Sequence, residues 1–179
     1  MASVQLVIVN RICQGLQSAL NMTPQQVYPI IQRHYVEGFG QRAIQVVPGP
    51  ERPSGNGDGG QTGGMIEIEQ LFTLWVWYRF KGDMHNMSQD LITLETQGFA
   101  DFIDTVRQTF TYTYLGTVDL TSNTTNLLLE PMKYRGATET SWQDEKKGVA
   151  YRGITFSATY AQIWPNVPSL DNSNFTFVS

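Results

Sequence analysis

A chain of 179 residues with 41% hydrophobic and 16% charged side chains is long enough to bury one proper core and too short for two domains of ordinary size. Its net charge of −4 argues against a protein that grips DNA or an anionic membrane through phosphate contacts, which needs a basic surface, although DNA can pass such a protein without adhering. Aromatic content of 12% beside so little charge fits a molecule that buries surface against copies of itself.

Val4, Val7 or Ile8, Ile12, Leu16 and Leu20 recur at helical spacing and predict a first helix over residues 3–20, with Ser3 as its cap. The apolar run Val4 to Val9 has no basic residue before it and is broken by Asn10 and Arg11, so neither a signal peptide nor a membrane span is expected. With the single cysteine, Cys13, this sets the expectation of a protein made and kept in the cytoplasm until it is assembled. Thr23-Pro24 opens either a short helix or an irregular excursion over residues 24–36, because Pro29 removes a bond from helix and strand alike. Ala43, Ile44, Val46 and Val47 predict a strand over 41–47, ended by Pro48-Gly49-Pro50.

Residues 48–64 hold seven glycines and three prolines and no large apolar side chain. Such a stretch cannot offset its own ordering entropy, so either a partner chain orders it or it is shaped as a long hairpin arm. A phosphate-cradling loop is the sharper alternative, but no Gly-Lys-Ser/Thr ending and no following helix support it.

The next stretch, from Met65 to Phe80, organises the chain. Every second residue places Ile66, Ile68, Phe72, Leu74, Val76 and Tyr78 on one face, with Gln70 as the one interruption. Glu67, Glu69, Leu71, Thr73, Trp75, Trp77 and Arg79 fall on the other. A strand of this length spans about 50 Å, beyond what one small core needs. Its apolar face calls for a helix. Trp75 and Trp77 on the second face are either a partner surface or are covered by other loops of the same chain.

A polar turn over 81–87 precedes a helix capped by Ser88 and running to about Phe110, with Asp90 and Glu95 early and Arg107 late, as the helix dipole favours. Its stripe is Ile92, Phe99, Ile103, Val106 and Phe110, reinforced by Leu91, Leu94 and Phe102, and it is the natural lid for the apolar face of the long strand. Residues 112–120 read as a short strand or bend, residues 127–134 as a strand that tolerates Pro131, and residues 135–148 as a polar loop. Ile154, Phe156, Ala158, Tyr160 and Trp164 alternate with Thr155, Ser157 and Thr159 in a second long strand over 149–164. The expected fold is α+β, a mixed and mostly antiparallel sheet of long strands packed by two main helices. Residues 1–164 form its single domain, 48–64 an extended loop or hairpin arm, and 165–179 a C-terminal extension carrying Phe175 and Phe177.

A search for chemistry finds no catalytic, metal-ligating or cofactor-binding set. His34 and His85 lie in different elements, and only Asp83 stands near His85. The pairs Glu67 with Glu69 and Asp101 with Asp104 read as hydrated acidic surface rather than as an acid/base couple. There is no Gly-x-Ser-x-Gly elbow and no basic stripe. The candidate residues are therefore those of a subunit or partner interface: Glu51, Arg52, Asp58, Glu67, Glu69, Trp75, Trp77, Arg79, Phe175 and Phe177.

The order of elements, with the start QLVIVNRICQGLQSAL, the strand and loop AIQVVPGPERP, the long strand IEIEQLFTLWVWYR, the helix FADFIDTVRQTF followed by TYLGTV, and the closing YRGITFSATYAQIW, resembles the tail terminator family of long-tailed bacteriophages, also called tail completion or tail-to-head joining proteins. Residues 22–40 and the tail after Trp164 depart from that pattern. The resemblance implies a virion protein without enzymatic activity or cofactor. Such a protein forms a homohexameric ring on the tail tube protein, stops tube growth, offers its other face to the head connector or stopper protein, and lets DNA through its lumen. Competing expectations are a head completion or stopper protein, a small enzyme using Asp83 and His85, and a carbohydrate-binding module stacking sugar on Trp75 and Trp77.

Overall fold

The computed structural model describes residues 4–35, 37–54, 65–82, 84–111, 115, 128–144 and 147–163. The elements in chain order are helix α1 (Val4–Leu20), strands β1 (Val27–Pro29), β2 (Arg42–Pro53) and β3 (Met65–Arg79), helix α2 (Gln89–Phe110), and strands β4 (Lys133–Ala137), β5 (Ser141–Asp144) and β6 (Val149–Ile163). The sheet runs β1-β2-β3-β6-β4, with β5 also paired to β6. Only β1 with β2 is parallel; the remaining pairs are antiparallel. The fold is α+β, as the alternation in the sequence predicts.

The two long strands pair over their whole length, from Met65 opposite Ile163 to Arg79 opposite Val149. From Ile68 to Tyr78 and from Ile154 to Tyr160, their even-numbered residues face the helices. Phe72, Leu74, Val76 and Tyr78 of β3 and Ile154, Phe156, Ala158 and Tyr160 of β6 pack with Ile8, Ile12 and Leu16 of α1 and with Phe99, Phe102, Val106 and Phe110 of α2 in one core. Burial of side chains this size stabilises the fold by about 1.5–3 kcal/mol each. Gly15 brings α1 close enough that a β-carbon there would stand 3.3 Å from the Phe110 ring. Ser88 caps α2 by accepting the Leu91 N–H at 3.4 Å. Leu91 and Leu94 do not reinforce the buried stripe: both are exposed, on turns that lie before the first buried residue, Phe99.

Several boundaries differ from the sequence expectation. Residues 24–35 are the irregular excursion and not a helix, with a three-residue strand β1 inside it. Pro29 is accommodated because it ends that strand. Strand β2 does not stop at Pro48. It passes through a bulge between Pro48 and Glu51, three steps on β2 against two on β3, and continues to Pro53. The prolines are tolerated because β1 pairs only with residues 44–46, so this half of β2 is a free edge among the described residues. Gly49 sits at the bulge, where a β-carbon would meet the Leu71 carbonyl oxygen at 3.1 Å. The hairpin of β2 and β3 thus extends as an arm to the Ser54 N–H bond to Glu67 O, 2.9 Å. The remainder of the Gly/Pro-rich segment lies outside the described residues.

The strand expected over 127–134 is displaced to Lys133–Ala137, after Pro131, and the expected polar loop over 135–148 contains the end of β4 and all of β5. Both are short and polar, so alternation is weak in them, and each carries a bulge against β6. Residues 112–114, 116–127 and 164–179 lie outside the described residues, as does the cap Ser3.

Candidate interaction surface

From Glu67 to Arg79 and from Val149 to Ala161, the odd-numbered residues of β3 and β6 form the sheet face turned away from the helices, and the described candidate residues divide between its two ends. At the arm end, the Glu69 side chain is only 12% exposed and receives two arginines. Arg52 donates to one carboxylate oxygen from Nε (2.8 Å) and Nη2 (2.6 Å), and Arg135 donates from Nη2 to the other. Arg135 Nε also donates to the buried Ser157 Oγ at 2.8 Å. Burial alone would raise the Glu69 pKa. Hydrogen bonds with Arg52, Ser157 and Arg135, and the charge of Arg135, outweigh it and hold the carboxyl below the usual range. Arg52 arrives because it stands directly opposite Glu69 in the β2–β3 register. Arg135 arrives because it is the extra residue of the β4 bulge, between Tyr134 opposite Phe156 and Gly136 opposite Thr155.

On the core side of the same arm, Tyr160 donates its hydroxyl to Glu51 Oε1 at 3.0 Å. Burial, with the Glu51 bond and charge, pushes the Tyr160 pKa strongly upward. Gln70, the lone polar residue in the apolar row, is fully buried and donates to Gly49 O at 3.3 Å, which secures the bulge. Glu67 is exposed on the outer face. A cleft of about 340 Å³ opens here, lined by Pro50, Glu51, Arg52, Glu69, Leu71 and Arg135.

At the other end of β3 the outer face is aromatic and covered. Of the two readings open for the tryptophans, cover by the chain's own loop holds for Trp77, which is 2% exposed. It packs with Phe39, Ala43 and Val149, and its ring centroid lies 5.7 Å from Tyr35 and 4.9 Å from Tyr151. Trp75 is half-buried: the Arg33 guanidinium carbon stands 5.0 Å from its ring and 4.2 Å from that of Tyr151. The hydrogen bond with Arg33 lowers the Tyr151 pKa, against the raising effect of burial. Arg79 lies over Phe39 at 5.1 Å. Gln45 anchors the covering segment, donating to His34 O at 2.6 Å and Tyr28 OH at 2.9 Å. Beside it, Tyr35, Glu37, Gly38, Arg79 and Lys147 line a second cleft of about 340 Å³.

The candidate residues therefore do not form one site. Glu51, Arg52, Glu67 and Glu69 share the arm, Trp75, Trp77 and Arg79 share the aromatic end, and Asp58, Phe175 and Phe177 lie outside the described residues. Sequence reading missed Arg33, Arg135, Tyr151, Ser157 and Tyr160. Only Tyr160 had a signal, its place on the apolar row of β6, where it stands opposite Ile68, one inward-facing position from Gln70.

Among the described residues no group of three or more His, Cys, Asp or Glu side chains is placed to hold a metal ion. His85 is exposed in the turn Met84–Asn86, and Asp83 lies outside the described residues. Asp101 and Asp104 are occupied separately, by Gln97 at 2.7 Å and Arg107 at 2.8 Å. Cys13 is buried beneath α1, and burial pushes its thiol pKa up to about 11. No described helix is long and apolar enough to cross a membrane.

No family model matches this chain, and no curated protein matches it. Among solved structures, the chain is similar to one from the virion of a native gene transfer agent particle. The identity is 14% and the TM-score 0.41, over 86% of this chain and 92% of that one.

Proposed function

We propose that this chain is a structural protein of the phage neck: a ring-forming tail terminator that caps the tail tube, halts its polymerisation and joins the tail to the head connector. The observation that supports this reading is the paired arm of β2 and β3. β3 and β6, at 15 residues each, reach about 50 Å, whereas the 22-residue helix α2 is about 33 Å long. The arm carries Glu51, Arg52 and Glu67 exposed at its surface. A charged arm at the margin of the helix-packed core is a means of engaging the next copy in a repeated head-to-tail contact that closes into a ring.

In this reading the chain acts by fit. Ring closure supplies one association energy and docking on two dissimilar faces supplies two more. The partners are further copies of this chain, the tail tube protein and the connector or stopper protein. DNA crosses the lumen without specific binding, which the net charge of −4 favours through repulsion. The protein takes no cofactor, catalyses no reaction and resides in the virion after synthesis in the host cytoplasm.

Light scattering on the purified protein, followed by negative-stain imaging, tests the reading. Closed rings near the mass of six chains, with added tail tube protein capped at one end, are expected. A monomer at high concentration that leaves tube growth unchanged rejects it, and a ring that binds the portal assembly but not the tube favours a stopper instead.

A further inference from the structure

The segment that covers Trp77 is seated on groups that the closed form does not satisfy. Among the described residues, five side-chain polar atoms are buried without a hydrogen-bonding partner: Arg33 Nη1, Tyr35 OH, Gln45 Oε1, Trp77 Nε1 and Arg79 Nε. All five belong to the contact between the segment after β1 and the outer face of the sheet. Two belong to side chains that are almost wholly enclosed, Trp77 at 2% and Gln45 at 1% exposure. A buried donor or acceptor left unpaired weakens the conformation that buries it, because water pairs it once it is released.

The forces that oppose release are the aromatic contacts of Tyr35 and Phe39 with Trp77, the stacking of Arg33 and Arg79, the hydrogen bond of Arg33 with Tyr151, and the bond from Gln45 to His34 O. Gln41 marks the end of the segment: its carbonyl accepts from Arg79 N–H at 2.8 Å and its side chain donates to Tyr78 OH at 3.2 Å. The ion pair of Lys147 with Glu37, 3.2 Å, is solvent-exposed and adds little. By contrast, Gln70 and Tyr160 on the helix side are both hydrogen-bonded. Gly38 and Gly40 sit at φ +86° and +74° with open space around them, conformations in which glycine turns at no steric cost.

We propose that residues 33–35 and 37–40 form a strap that opens as one unit, up to the anchor at Gln41, while the helix-packed core stays folded. The open form returns the five polar atoms to water and bares Trp77, Trp75 and Tyr151. The strap thereby sets how much aromatic surface this end of the sheet presents. Such sub-global opening lies below global unfolding in free energy and is read by proteolysis of the native protein.

Trypsin digestion of the intact chain tests this, with the new N-terminus at His34 identified by mass spectrometry. Cleavage after Arg33 is expected without denaturant, at a rate whose urea dependence is less than half that of global unfolding. Tyr35→Phe deletes one unpartnered group and keeps the ring, and is expected to slow that cleavage about fivefold or more. Tyr35→Ala removes the packing as well and is expected to speed it at least about tenfold with the core transition little moved. Cleavage after Arg33 that follows the urea dependence of global unfolding overturns the proposal, as does a Tyr35→Phe rate that is unchanged or raised.

Discussion

A β-carbon at Gly153 would come within 2.9 Å of the Trp75 indole, which lies flat over the strand at that point. Gly153→Ala is therefore expected to lift the indole and disturb the Arg33 stack, at a cost of about 1–3 kcal/mol in urea unfolding. A change under about 0.5 kcal/mol would show that the ring moves aside freely. Glu69 makes a second prediction with a sign. Its folded pKa is depressed, so its contribution is present above the ordinary glutamate range of about 4.3 and is lost as pH falls through the lower folded value. Glu69→Gln is expected to destabilise by about 1 kcal/mol at pH 7, solvent at Arg52 screening the rest. The difference from the parent chain should shrink in melts at pH 3; a gap independent of pH rejects the assignment. Cys13, pushed up to about 11, is expected to resist alkylation at pH 8 until denaturant unfolds α1. At this scale the sequence is partly legible. Gln70 in an apolar row announces a buried partner, but alternation puts Trp75 and Trp77 on one face and cannot say which of them a distant loop will cover. Arg135 was beyond reach, because a bulge shifts its side chain by one position.

Long periodic elements declare themselves. β3, β6 and α2 each repeat their period often enough that the predicted bounds fall within a residue or two of those observed. β2 is half legible, since Pro48-Gly49-Pro50 spells a stop that a bulge on a free edge overrides. β4 and β5 are illegible in isolation because they are short, polar and defined by their pairing with β6. The arm has a consequence for truncation. Deleting residues 50–62 removes the Glu51 bond to Tyr160 and the Arg52 pair with Glu69, and is expected to lower stability as well as assembly. Deleting only 55–62, beyond the last described arm residue, is expected to leave the thermal transition of the monomer within about 2 °C while weakening ring formation. A shorter deletion that unfolds the chain would mean that the hairpin depends on its tip.

For the whole molecule, the two ends of the outer face differ in character, one charged and one aromatic. Arg52→Glu, at a side chain 70% exposed, sets a like charge opposite Glu69 and is expected to cost about 1 kcal/mol while the core stays folded, and to shift light scattering toward smaller species. Trp77→Ala is expected to cost about 3–5 kcal/mol by opening the packed outer layer, so loss of assembly in that variant would report unfolding and not a lost contact. Full assembly in Arg52→Glu would place the ring contact away from the arm. Pro48, Pro50 and Pro53 lie along the border of β2 that is free among the described residues, and they bear on a different hazard. A protein that meets its own copies at high local concentration risks runaway stacking of bare strands into fibrils. Three residues that have no amide hydrogen to give make this border a poor template for such growth, so close encounters between copies are steered toward side-chain contacts that can end.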